Sequence, residues 1–437
     1  MISTDLLETV LADQHDEHLA IINDKGLIKR TAAIRIEREI RNLRSPMAKI
    51  ITGLRRCGKS TLCHQLLADK KPVYVNFDDD RLFGFKASSF QDLFEVILKT
   101  RPNSQVYFFD EIQNVEGWEL FVNRLLRKKI DIWITGSNSN LLSRELATHL
   151  TGRALSYTVY PFSFSEVLRL EGADEEDGAK GGRGLGQSSK IRAKRQAQLE
   201  GYLKTGGLPE VLRGAPARTY HQALFNQILT KDVAGRHPIR KQNELKLFAL
   251  QVLDRFSTTI GYQALANAIP GMSTGTAKKY LGFLEECYLA FELNPYRLKL
   301  KQREKAPRKV YGIDLGLLQS LTLKPTPDRG LFLENLVFLE LRAREVDFRT
   351  WKEDSFEIDF VEFEGRAPTK LIQVCWDLNH PDTRAREVKA IQSARESVKH
   401  EIPAQIITWG NRDEWDLAKS RIKVLSAAEW LLQAEDL

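Results

Sequence analysis

KIITGLRRCGKSTLCHQL, residues 49–66, is the stretch from which the rest of the chain is read. Within it Gly53, Gly58, Lys59 and Ser60 satisfy G-x-x-x-x-G-K-[ST], with apolar Ile50 and Ile51 before the loop and Leu62, Leu66 and Leu67 after it at helical spacing. A strand, a glycine-rich loop and a helix are the context in which that pattern has a mechanism. The glycines let the backbone wrap closely around phosphates, and the N–H groups at the helix start point at anionic oxygen. On this reading Lys59 reaches the β- and γ-phosphates and the Ser60 hydroxyl holds Mg2+. Arg56, Cys57 and Thr61 are counted with the same phosphate-binding loop.

Residues 46–168 alternate short apolar runs with helical patterns. VYVNF (73–77), VYFFD (106–110), IDIWIT (130–135) and LSYTV (155–159) read as strands, and 90–99 and 118–128 as helices. The alternation predicts an α/β core, a doubly wound parallel sheet with helices on both faces. The mostly apolar strands agree, because such strands are buried on both sides. The second of these runs ends in Asp110-Glu111, at the carboxyl end of a parallel strand, where ligands gather in open α/β sheets. Asp110 is expected to hold Mg2+ through water and Glu111 to polarise the attacking water. The next strand ends in Thr135-Gly136-Ser137-Asn138, and Ser137 and Asn138 are both candidates to touch the γ-phosphate or that water. An arginine that completes the charge compensation often comes from a neighbouring subunit. Arg153, Arg144 and Arg236 are the candidates, with Arg153 preferred for its place just before the fifth strand, near the active edge.

Around this core the chain divides by composition. Residues 1–45 form an N-terminal helical segment, whose basic stretch 31–44 reads as a solvated face. A flexible linker or insert is expected over 169–195, since 171–195 carries six glycines and eleven charges. Residues 196–310 hold helices followed by a strand pair, a winged-helix outline. Where its wing falls, 297–309 carries seven Lys or Arg against one acid. Arg297, Lys299, Lys301, Arg303 and Lys305 are therefore candidate DNA contacts, the alternative being a solvated hairpin edge defended by lysines. Residues 311–437 make a last α/β unit.

The bulk numbers exclude several classes. At 42% hydrophobic and 28% charged, the composition is that of a soluble globular protein. No apolar run approaches the roughly 18 residues of a membrane span. The acidic N-terminus lacks the order of a secretory signal. The four cysteines are scattered, which suggests neither a disulfide framework nor a zinc site. Cytoplasmic residence is the expectation, and the net charge of +7 permits a nucleic-acid partner.

GLRRCGKST, YFFDEIQNVEGWE, ITGSNSNLL, LTGR, YPFSFSE and TGGLPE occur in that order. This series resembles the AAA-like P-loop ATPases of bacteria and archaea that carry a C-terminal domain of unknown function, DUF4143, and the likeness covers about residues 30–410. It implies an additional-strand ATPase core, a helical lid or winged-helix middle and a C-terminal domain like the PD-(D/E)XK nucleases. It also implies Asn138 as the sensor and an arginine near Arg153 in the site. ATP rather than GTP follows from the same likeness, since no guanine-reading N-K-x-D is present. Against the nuclease pattern, Glu334 and Asp359 (in FEIDF) fit, but Gln373-Val374-Cys375 stands where the third strand should read acid-x-Lys. With the second acid and the lysine both missing, a degenerate nuclease-like domain without nuclease activity is expected. The whole predicts an Mg2+-dependent ATPase, a homo-oligomer acting on or with DNA. The alternative is a nucleotide-gated switch or scaffold for a protein partner, with slow hydrolysis. A nuclease gated by ATP is disfavoured by Gln373 and Cys375.

Overall fold

In the computed structural model the apolar runs around the glycine-rich loop become five strands. They are β1 (Ala48–Gly53), β2 (Val73–Asn76), β3 (Val106–Asp110), β4 (Asp131–Gly136) and β5 (Ala154–Val159), all parallel, in the order β2-β3-β4-β1-β5. The structure describes residues 2–43, 45–137, 150, 152–172, 189–296, 307–322, 328–398, 401–410, 413–417 and 420–433. The chain divides into two units, residues 1–161 with 286–288, and 162–285 with 289–437.

The register of the first sheet decides what can meet. Gly53 lies beside Val159, Thr52 beside Gly136 and Asn76 beside Asp110, so the five strands end along one edge. Strand β4 sits between β1 and β3, so a single strand separates the Asp110 strand from the loop strand. Helices α1 (Thr4–Ile22), α2 (Thr31–Ile40), α3 (Lys59–Leu66), α4 (Phe90–Thr100) and α5 (Trp118–Arg127) complete this unit. The N-terminal helical segment joins this unit, because α1 packs into its core. Leu7, Val10, Leu11, Gln14 and His18 are buried at the spacing of one helix face. The first three of them join Val73, Val75, Phe90 and Ile97 in one apolar cluster. Gln14 explains why a polar residue lies on that face. Its Oε1 accepts from the Asn76 N–H (2.9 Å) and its Nε2 donates to the Asn76 carbonyl (3.2 Å), so the amide completes the edge strand β2.

The second unit begins with α6 (Phe164–Leu170), α7 (Ser189–Thr205), α8 (Pro209–Leu212) and α9 (Ala217–Gln227), the last continuing into a π-helical turn over Ile228–Ala234. The expected linker over 169–195 lies mostly outside the described residues, and α7 already begins at Ser189. Two of the sequence motifs have a structural reason here. In YPFSFSE, Ser163 and Glu166 form a reciprocal cap on α6: the Glu166 N–H donates to Ser163 Oγ (3.2 Å) and the Ser163 N–H to Glu166 Oε2 (2.9 Å). In TGGLPE, the Gly207 N–H donates to Asp314 Oδ2 (2.7 Å) and its carbonyl accepts from the Phe162 N–H (2.7 Å). A Cβ on Gly207 would stand 2.1 Å from the Phe162 carbonyl oxygen, which is backbone and cannot step aside. Gly207→Ala is therefore expected to destabilise this unit by about 3 kcal/mol. Denaturant unfolding checks it, and an unchanged midpoint would mean that the 162 and 207 segments are not held this closely.

Helices α10 (Gln242–Leu253), α11 (Tyr262–Asn267) and α12 (Thr274–Glu286) follow, with strands β6 (Thr258–Ile260), β7 (Ala290–Leu293) and β8 (Arg308–Gly312) paired antiparallel in the order β6-β8-β7. The candidate DNA contacts Arg297, Lys299, Lys301, Arg303 and Lys305 lie outside the described residues. The last two cations of that basic run are described, and they are not a solvated face. Arg308 pairs with Glu292 at 2.8 Å, and Lys309 is 5% exposed.

After α13 (Leu315–Leu321) and α14 (Arg329–Ala343), six strands form a mixed sheet in the order β13-β14-β12-β11-β10-β9. These are β9 (Phe348–Lys352), β10 (Glu357–Glu364), β11 (Ala367–Cys375), β12 (Ala404–Thr408), β13 (Asp413–Leu417) and β14 (Ser420–Ser426). Helix α15 (Pro381–Val398) separates β11 from β12, which pair in parallel, and α16 (Ala427–Leu432) follows the last strand. No helix among the described residues is long and apolar enough to cross a membrane. All four cysteines are buried and none is in a disulfide.

Candidate nucleotide-binding site

The loop after β1 is shaped by backbone that few residues tolerate. Gly53 has φ 142°, Arg56 φ 65° and Gly58 φ 92°, in the region that favours glycine. Gly53 also lets the loop approach β5, because a Cβ there would stand 2.1 Å from the Val159 carbonyl oxygen. The same oxygen accepts from the Cys57 thiol at 3.3 Å, and burial pushes that thiol up, so Cys57 is a packing group and not a nucleophile. Arg30, at the start of α2, donates to the Cys57 carbonyl (3.1 Å) and the Tyr160 carbonyl (2.7 Å), holding the loop from behind. Lys59 Nζ rests on the Leu54 carbonyl at 2.9 Å, a partner from which phosphate oxygen can draw it.

At the head of α3 the Ser60 Oγ donates to Asp110 Oδ1 at 2.9 Å. The loop serine and the strand-end carboxylate therefore meet at one point on the carboxyl edge of the sheet. Thr135 Oγ1 donates to the same Asp110 oxygen and accepts from the Glu111 N–H (3.3 Å), so one hydroxyl at the end of β4 orders both acids. Burial, and after it the charge of Glu111, push the Asp110 carboxyl up to about 6, against the opposing Thr135 and Ser60 donors and the Lys59 charge. Glu111 has φ 51°, which turns its side chain out of the strand direction. Its Oε2 accepts from Gln113 Nε2 and from Ser137 Oγ, the latter at 3.5 Å.

The donor set suits a nucleotide triphosphate with Mg2+: a glycine cradle that a Cβ would fill, a buried ammonium on a weak partner, and a hydroxyl against a desolvated carboxylate. Gly53, Arg56, Cys57, Gly58, Lys59, Ser60 and Thr61 stand in this loop, and Asp110, Glu111 and Ser137 face it. Asn138 and Arg144 lie outside the described residues. Arg153 does not sit near the active edge as expected. It precedes β5 at the amino end, where its carbonyl accepts from the Ala48 N–H and its Nη1 donates to Asn123. At about 3.3 Å per residue, that is about 20 Å from the loop in its own chain. Arg236 pairs with Asp232 at 3.2 Å within the second unit. Sequence reading missed Arg30, Gln113 and the ordering role of Thr135. Gln113 and Thr135 sit inside quoted motifs, whereas nothing in the sequence ties Arg30 to residue 57.

Behind α3, His64 Nδ1 meets His18 Nδ1 of α1 at 2.7 Å. Burial, and next the His18 charge, lower His64 to about 3; burial lowers His18 as well, followed by His15 and Arg101. The unfolded chain takes up protons near pH 6.5, whereas the folded His64 refuses one until about pH 3 and His18 is lowered in the same direction. The pair thus stabilises the fold above pH 6.5, and that contribution is lost as pH falls from there toward 3. The thermal midpoint is expected to drop more steeply between about pH 7 and pH 5 in the wild type than in His64→Phe. Parallel slopes would show that the pair is not linked to folding.

The second unit holds a separate buried cluster. Lys309 Nζ lies 2.9 Å from Glu334 Oε1, 3.0 Å from Glu357 Oε1 and 2.9 Å from Asp359 Oδ1. Strand β8 supplies this lysine, and β10 supplies two of the three acids. Gln373, on β11, is fully hydrogen-bonded beside this cluster. Its Oε1 accepts from the Asp359 N–H (2.8 Å), and its Nε2 donates to the Glu357 carbonyl (3.1 Å) and Glu387 Oε2 (2.7 Å).

A family model described as an AAA domain matches residues 45–168. The uncharacterized protein MJ1544 of Methanocaldococcus jannaschii is 31% identical over 406 residues, covering 90% of this chain and 88% of that protein. The chain belongs to the MJ1544 family. An uncharacterized Haemophilus influenzae protein is 30% identical over 403 residues, 88% of this chain and 94% of its own length. Family likeness thus extends well beyond the AAA-like core into both units. Over 196–328 the matching model is a domain of unknown function, DUF8612, where the resemblance had named DUF4143 for the end of the chain. The Walker-type ATPase paby2304 of Pyrococcus abyssi, a solved structure, aligns with 69% of this chain and 99% of its own at 15% identity and a TM-score of 0.42. At those values the superposition says nothing about activity.

Proposed function

We propose that this protein binds ATP with Mg2+ in the loop over residues 53–60 and hydrolyses its β–γ bond. The observation that carries the reading is the 2.9 Å contact between Ser60 Oγ and Asp110 Oδ1, with Glu111 on the next residue. Mg2+, when bound with the nucleotide, neutralises charge on the β- and γ-oxygens. Lys59 leaves the Leu54 carbonyl for the phosphates, and Ser60 turns its oxygen from Asp110 to the metal side. Glu111 leaves Gln113 and accepts a proton from the attacking water. Ser137 serves the γ-phosphate side of that water, and Asn138, the next residue in the sequence, is the proposed sensor. An arginine from a second copy compensates charge, and Arg153 can serve only in that way, since it is remote from the loop in its own chain. The protein accordingly works as a homo-oligomer.

The partner proposed is DNA. The order helix, strand, two helices and two strands over residues 242–312 supports reading this part as a winged helix, and the basic run 297–305 would follow the backbone. One observation favours the second reading, a nucleotide-gated switch for a protein partner: Arg308 and Lys309 are consumed by internal carboxylates. ATP turnover with and without double-stranded DNA separates the two. A several-fold rise that fades with salt supports the DNA reading, and indifference to DNA moves the assignment to the protein-directed switch. The C-terminal α/β part is proposed to be nuclease-like and inactive, because Lys309 occupies one oxygen of each of the three acids and Gln373 is fully committed. DNA cleavage with Mn2+ that is lost in Asp359→Ala would contradict this.

A further inference from the structure

Asp110 has two carboxylate oxygens, and the donors described so far bear on one of them. The other, Oδ2, accepts from the Tyr74 hydroxyl at 3.4 Å. Tyr74 lies on β2 beside Phe108 of β3, so its ring shares a face with Asp110, two residues further along that strand. The ring is 3% exposed and fixed on several sides. It meets Phe108 at 5.0 Å and the edge of His64 at 4.6 Å with an interplanar angle of 73°. His64 lies one turn after Ser60 on α3, and its Nδ1 is held by His18 of α1 at 2.7 Å. A continuous buried chain of contacts therefore runs from α1 through α3 and β2 to Asp110. The steps of hydrolysis described above use none of its three aromatic members.

A carboxylate held through one oxygen can still rotate about its Cβ–Cγ bond. A donor on each oxygen fixes the plane, and with it the direction in which Oδ1 faces Ser60. When Ser60 turns toward a metal, Oδ1 loses a donor, and the Tyr74 contact on Oδ2 persists. We propose that Tyr74 is a positioning residue for the metal-side carboxylate of Asp110, and that α1 shares in this positioning through His18 and His64. The inference rests on the reading that Ser60 and Asp110 receive Mg2+ together with a nucleotide.

The test is the affinity of a fluorescent ribose-labelled ATP for the full chain, measured in Mg2+ and again in EDTA, alongside the thermal midpoint without nucleotide. Ser60→Ala sets the size of a complete loss of the Mg2+ contribution. Tyr74→Phe, which keeps the ring, is expected to leave the EDTA affinity and the midpoint nearly unchanged. It should lose about tenfold in the Mg2+ affinity, the scale of removing a group behind a metal ligand. A tenfold higher Mg2+ concentration should restore it. His64→Phe is expected to lose less, in the same direction. A wild type that binds no nucleotide defeats the functional reading itself. A wild type with a Mg2+ gain that Tyr74→Phe keeps in full defeats only the positioning role. Equal losses in Mg2+ and EDTA, or a collapsed midpoint, make Tyr74 a packing residue and overturn it too.

Discussion

Glu111→Gln is expected to cut phosphate release by about a hundredfold or more while leaving nucleotide affinity nearly unchanged, the scale of removing a general base. The substitution is close to isosteric and lies outside the glycine cradle, so the phosphate contacts of the loop survive it. In the proposed hydrolysis, what it removes is an acceptor for the proton of the attacking water. The surroundings already single out this carboxylate. Its backbone is held at φ 51° by the strand end, Thr135 accepts its N–H, and Gln113 and Ser137 address its Oε2. A single-turnover assay beside a binding titration separates loss of chemistry from loss of binding. Normal turnover in Glu111→Gln would assign the base to another group.

The second large effect concerns stability. Lys309→Met is expected to destabilise the second unit by about 3–5 kcal/mol, the cost of breaking a buried ion cluster by removing one sign of charge. Methionine keeps the volume and deletes the ammonium that three carboxylates share at 2.9–3.0 Å. Burial opposes the Lys309 charge, but Asp359, Glu334 and Glu357 outweigh it and hold the ammonium well above its ordinary value. Glu334 is itself raised to about 7, by burial and then the charge of Asp359, with Lys309 and the Tyr311 hydroxyl working against the rise. Without the ammonium these acids would repel one another and take up protons. The deficit should therefore shrink at about pH 5.5 and grow at about pH 8, as denaturant midpoints of variant and wild type will show. A deficit independent of pH would assign the effect to packing alone.

The candidate nucleotide site could be read because its signal is local. A glycine loop between an apolar run and a helix, and two acids ending another apolar run, need no knowledge of distant contacts. Alternation of strand and helix implied a parallel sheet, and the strand order, which only the structure shows, gave the same motifs their meeting point. What stayed hidden depends on residues far apart in sequence. The basic run ending at Lys309 reads as a surface, yet its last lysine turns into the core to meet residues 25 and 50 positions later. Arg153 misled for a related reason. In a parallel sheet a residue just before a strand lies at the amino edge, and the loop leaves from the opposite one. Strands β13 and β14 went unread because their short runs are broken by charges. The glycines of TGGLPE admit Phe162 and Asp314, contacts that only the structure shows.

Steady-state phosphate release from ATP, wild type against Lys59→Ala, with Mg2+ and with EDTA, tests the central claim most directly. The account predicts turnover by the wild type in Mg2+, and none in EDTA or in Lys59→Ala under either condition. Equal release by wild type and Lys59→Ala, or a wild type that binds Mg2+-ATP and never turns it over, would contradict it.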